Sequence, residues 1–164
     1  MNQDYVQAVK WYRLAAEQGD AVGAYGLGIR YIEGQGIPQD NAQAEKWFKV
    51  AAEAGHGDAA YNLAIIYQNK NDRTSEVKYL QIASDQGIAD GQCLLGQMYA
   101  EGLALPKDQI AAYEWATLAI KNGALACQKV IDALQKSKMS SADIAEAKRR
   151  ADAWQPKAHP GFNY

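Results

Sequence analysis

Apolar residues recur at three- and four-residue intervals along most of the chain, with small or polar residues between them. Ala24, Leu27, Gly28 and Tyr31 follow this spacing, Ala60, Leu63, Ala64 and Tyr67 repeat it, and Gln92, Leu95, Gly96 and Tyr99 repeat it again. Such a period places each set on one face of an α-helix. We call these A segments. The column Gly28, Ala64, Gly96 holds only tiny side chains, which predicts a close approach between helix axes. Glycine inside a helix costs about 1 kcal/mol against alanine, so packing must offset it.

A second type of segment, B, follows each A. Ala8, Trp11 and Ala15 form one stripe, and Ala44, Trp47 and Ala51 form another. B segments start at aspartate: Asp4 with Gln7 and Asp40 with Gln43 resemble capping boxes, while Asp72 and Asp108 keep the cap alone. They stop at Gly19 and Gly55, as the A segments stop at Gly34 and Gly102 with a proline soon after. Trp11, Trp47, Tyr79 and Trp115 share one register and are expected to be largely buried between helices.

Pro38, Asp40, Trp47 and Gly55 return 68 positions later as Pro106, Asp108, Trp115 and Gly123, so one design is used several times. The pattern divides the chain into a B helix of a truncated unit (1–20), units at 21–56, 57–88 and 89–124, capping helices at 125–154 and an extended or disordered tail at 155–164. The third unit has a shortened loop, with Asn69 or Asn71 expected to make its turn. ALACQKVIDALQKSK supplies one last A-type helix, and SSADIAEAKRRADAW starts a charged capping helix at Ser140 or Ser141. A first B segment with no A before it would expose the face its partner covers, as in a piece of a longer array.

The residues AVGAYGLGIRYIEGQGIPQDNAQAEKWFKVAAEAG resemble the Sel1-like repeat pattern AxxxxLGxxYxxGxG(I/V)PxDxxxAxxWxxxAAExG, a cousin of the tetratricopeptide repeat. The resemblance spans residues 1 to about 124; unit three is degenerate in its loop and unit four lacks the second loop glycine. It implies a bacterial all-α protein, a right-handed α/α superhelix (solenoid) of antiparallel helix pairs with partners bound on the concave face. A cysteine-rich branch of the family is associated with penicillin binding and β-lactamase activity and pairs cysteines within each unit. This sequence has no such pairs.

Composition adds few constraints: 48% hydrophobic and 22% charged residues in 164 are ordinary for a globular domain, and a net charge of −2 leaves no basic footprint for nucleic acid. No run approaches the ~18 apolar residues of a membrane span, and the N-terminus lacks a signal-peptide apolar region. A removed signal would leave no trace, so a cytoplasmic or an exported location stays open. Cys93 and Cys127 make neither a disulfide framework nor a metal spacing and read as two small buried hydrophobes.

No catalytic, cofactor or metal site is expected. Ser75 and Lys78 form S-x-x-K without the accompanying motifs of penicillin-recognising enzymes. His56 lies in a helix-to-helix turn, His159 in the tail, and the basic run at 148–150 is flanked by acids. What remains is surface. At ~100° per residue, the face of the A helices turned from the core carries a mixed strip of Ile29, Arg30, Asn62, Ile65, Ile66, Leu94, Gln97 and Met98. Its composition suits a peptide or helix groove, although Ile29, Ile65 and Leu94 could equally fill space between A helices. The expected function is a non-enzymatic protein-interaction scaffold; the alternative is an envelope binder or hydrolase of β-lactam or peptidoglycan-like ligands.

Overall fold

The computed structural model describes residues 2–157, with side chains from Asp4 onward. The part of the tail that holds His159 lies outside them. The helices are α1 (Asn2–Glu17), α2 (Ala21–Glu33), α3 (Asn41–Glu53), α4 (Gly57–Asn69), α5 (Arg73–Asp85), α6 (Ala89–Glu101), α7 (Gln109–Lys121), α8 (Gln128–Lys136) and α9 (Ser141–Ala153), with a 3-10 turn at Leu125–Cys127. There is no strand among the described residues. Helices α2/α3, α4/α5 and α6/α7 form hairpins that stack on neighbours, giving an all-α solenoid. None of the helices is long and apolar enough to cross a membrane.

Aspartate starts three of the B helices. Asp40 accepts from the Ala42 and Gln43 amides at 2.9 and 3.0 Å, Asp108 from Ile110 and Ala111 at 2.9 and 3.0 Å, and Asp72 from Ser75 at 3.1 Å. Asp4 differs: α1 already runs from Asn2, so Asp4 lies in its first turn and is not the cap. The shortened loop turns at Asn71, whose φ is +57°. Here Glu76 replaces the Ala44 and Ala112 of the other units and is buried. It accepts from Gln68 at 3.0 Å and pairs with Arg73 at 2.6 Å, so the charge is not left unpartnered.

The aromatic register needs correction. Tyr79 is buried at 3% exposure and stacks on Tyr67, with ring centroids 5.5 Å apart, but Trp47 and Trp115 are half-buried and Trp11 is 69% exposed. The fully buried aromatic of α3 is Phe48, one position on. A Cβ on Gly28 would meet its ring at 2.6 Å, so that glycine makes room for an aromatic knob. In unit four the equivalent of Phe48 is Ala116, and Gly96 instead lies against the α7 backbone, where a Cβ would stand 3.1 Å from the Ala112 carbonyl and the Ala116 amide. Only this second glycine serves the close axis approach predicted for both.

The cysteines also depart from expectation: Cys93 and Cys127 form a disulfide with a Cα–Cα separation of 5.6 Å. The bond joins successive units and not the two helices of one unit. Cys93 stands where earlier A helices carry Tyr25 and Tyr61, and Cys127 where they carry Gly23, Ala59 and Gly91. A side chain that elsewhere packs toward the next unit is here bonded to it. Sequence spacing concealed the pair because 34 residues separate its members.

At the C-terminal end α9 packs on α7, with Ala147 and Ala151 buried. Ser140 caps α9 by accepting from the Asp143 amide at 3.1 Å. The chain then doubles back: the Lys157 amide donates to the Asp85 carbonyl at 2.9 Å, and its Nζ reaches the Asp85 carboxylate at 2.7 Å. The first tail residues therefore run extended and anchored across the end of α5.

Candidate interaction surface

The strip identified in the sequence falls on the A helices α2, α4 and α6. Its residues are not equally available. Met98 is 3% exposed and belongs to the core, because α6 turns it inward among the apolar residues of the neighbouring helices. Ile29, Ile66 and Leu94 are half-buried against the same core. Arg30 is half-buried as well; it hydrogen-bonds Gln35, pairs with Glu33 at 3.2 Å and lies 5.5 Å from the centre of the Tyr5 ring. Asn62, Ile65 and Gln97 are half-buried too.

Another feature lies further along. A groove of about 500 Å³ opens between α6 and α8, with Ala100, Val130, Ala133 and Leu134 on its apolar side and Lys107 and Lys129 among its polar groups. Gln97 lines it as well. Val130, Ala133 and Leu134 occupy, 36 residues on, the positions of Leu94, Gln97 and Met98. The strip thus continues onto α8. The sequence marks α8 as A-type, and the strip's register carried past α6 reaches these residues.

The disulfide ties the same two helices beside the groove: Cys93 precedes Gln97 by one turn, and Cys127 immediately precedes α8. It fixes the spacing of the groove walls.

The other candidates have local roles. Ser75 Oγ donates to the Asp72 carboxylate at 2.7 Å, and Lys78 Nζ sits 5.0 Å from the centre of the Tyr79 ring. Neither contact prepares a nucleophile. His56 caps α4, accepting from the Ala59 amide at 3.4 Å, and stacks on Tyr25 with centroids 4.3 Å apart. Burial lowers its pKa from the usual 6.5, against the opposing pull of Asp58 and Asp20. Among the described residues no group of three or more His, Cys, Asp or Glu is placed to hold a metal ion.

Stacked helical hairpins with an apolar-sided groove define a helical-repeat protein. The Sel1 repeat family model matches residues 1–20, 21–56, 57–69 and 89–123, and the chain belongs to that family, whose repeats commonly mediate protein interactions. The chain is similar to a protective antigen of uropathogenic Escherichia coli with an SLR fold, at 34% identity and a TM-score of 0.75, over 90% of this chain and 33% of that one. It is also similar to a Sel1 repeat protein from Oxalobacter formigenes, at 29% identity and a TM-score of 0.68, over 76% of this chain and 95% of that one. The chain thus spans a third of the length of the E. coli antigen. No curated protein matches it.

Proposed function

We propose that this protein is a non-enzymatic scaffold that binds a peptide segment of a protein partner along its A helices, with the α6–α8 groove as the principal pocket. The observation that carries this reading is the groove itself: its ~500 Å³ lies within the usual range of ligand sites, and it sets an apolar side of Ala100, Val130, Ala133 and Leu134 against a polar rim that includes Gln97, Glu101, Lys107 and Lys129. It also lies on the register that the repeat reserves for the row of A helices. Asn62 and Ile65 extend the surface toward α4.

The Cys93–Cys127 bond fits a chain that works in an oxidising compartment outside the cytoplasm, since disulfides persist there and are rare in reducing cytosol. Similarity to a protective antigen points the same way.

A displayed peptide library selected on the intact protein tests the reading. Enriched peptides should lose about tenfold or more in affinity for Ala133→Arg, which fills the groove from an exposed position, and keep their affinity for Lys49→Glu on α3. A library that yields no binder, or binders indifferent to Ala133→Arg, overturns it.

A further inference from the structure

The α6–α8 groove lies where the A helices change charge. Helix α2 carries Arg30 with Glu33, α4 carries only Asp58 and α6 only Asp90 and Glu101, whereas α8 sets Lys129 and Lys136 against Asp132. Local structure does not call for the change. Asp58 and Asp90 stand in the first turns of α4 and α6, where the positive end of the helix dipole favours an acid, while α8 has no acid in its first turn and has Lys129 there instead. Lys129, and Lys107 from the loop between α6 and α7, both line the groove and are exposed. Among the described residues neither has a carboxylate within 4.0 Å.

A cleft of about 460 Å³ between α2 and α4 shows the same place when its charges are balanced within the chain. Ile32, Ile66 and Asn69 line it, and 68 residues on they become Ala100, Leu134 and Ser137 of the groove. Lys70, which also lines it, is met by Glu45 at 2.5 Å. In the later unit Tyr113 stands at the position of Glu45, so that acid is gone, and Glu101 lines the groove against two lysines. An excess of positive charge beside an apolar side fixes the complement. We infer that the segment bound there is acidic, with an aliphatic side chain seated against Val130, Ala133 and Leu134 and a carboxylate on an adjoining residue meeting Lys107 and Lys129. This rests on reading the groove as a peptide site and adds the chemistry of the peptide. A nucleic acid would satisfy the lysines but leave the apolar side uncovered.

The probes are the peptides enriched from the displayed library, resynthesised in two further forms. One has every Asp and Glu replaced by Asn and Gln, the other has its aliphatic anchor replaced by Ser, and binding to the full chain is read by calorimetry. The parent peptides should carry acids next to an aliphatic residue, and either replacement should weaken them about tenfold or more. The double variant Lys107→Glu, Lys129→Glu should do the same, Glu101→Gln should tighten binding by about threefold, and Lys49→Glu should change nothing. All of these positions are exposed, and Lys129→Glu places an acid in the first turn of α8, so melting temperatures should hold. Peptides that lose binding with Ala133→Arg, yet are neutral or indifferent to the lysine changes, would overturn this inference and leave the groove reading standing. A library without binders overturns both. Equal binding of the Ser-substituted peptides, or displacement of the parent peptides by a random oligonucleotide, would show a general anion surface and also overturn the inference.

Discussion

Ala104 holds a left-handed backbone with φ +57°, in the loop position that Gly36 occupies at φ +74° one repeat pair earlier. A Cβ in that region costs about 1–2 kcal/mol, part of which glycine returns through its greater freedom in the unfolded chain. Ala104 is exposed and its methyl adds little packing, so Ala104→Gly should stabilise the protein by about 0.5–1 kcal/mol in urea denaturation. Gly36→Ala should do the reverse and more, because its Cβ would strike the α1 backbone at Tyr5 and Val6. A destabilised Ala104→Gly would show that the loop does not hold the turn in solution. The missing glycine was legible in the sequence, but whether the loop would keep its shape without it was not. The same limit hid Phe48: Trp47 stands out in the repeat pattern, yet side-chain direction across the hairpin decides which of the two neighbours enters the core.

Among the elements, the B helices were legible because aspartate caps recur with the repeat. The starts of the A helices were not, since the residues there share no type: Asp20 and His56 bond the helix amides with their side chains, while Ile88 makes no such bond. The cap on α4 carries a pH dependence. His56 accepts through Nδ1 and so must be neutral there, and burial favours the same form. With its folded pKa below 6.5, the unfolded chain binds the proton more readily. The stability contributed is complete above pH 6.5 and is lost as pH falls from there toward the lowered folded value. His56→Asn keeps a capping acceptor without titrating. Denaturation of both proteins from pH 7.5 to 5 should show the wild type losing stability relative to the variant on acidification. Parallel curves would mean that His56 does not cap α4 as a neutral ring.

At the scale of the molecule, contacts run between neighbouring helices, so stability is set locally along the array, and not evenly. At the N-terminal end α1 exposes Trp11 and Leu14, whereas at the C-terminal end α9 covers α7 and the Cys93–Cys127 bond fastens α8 to α6. Closing a loop of 34 residues is worth about 2–4 kcal/mol in the constraint it places on the unfolded chain. Because coupling decays along a stack of repeats, that contribution should be unevenly distributed. In Cys93→Ser, hydrogen exchange should accelerate first in α8 and α9, reaching α7 more weakly and leaving α2 to α5 close to their wild-type protection. The melting temperature should fall, and peptides selected on the α6–α8 groove should bind more weakly, since its two walls would no longer be tied. Peptide mapping of protein purified without reductant checks the premise, with the fragments bearing Cys93 and Cys127 expected to migrate as one until a thiol is added. Free thiols in that sample would remove the bond. Uniform loss of protection from α1 to α9 would instead show that the array unfolds as a single cooperative body, and that the disulfide steadies the whole of it and not one end.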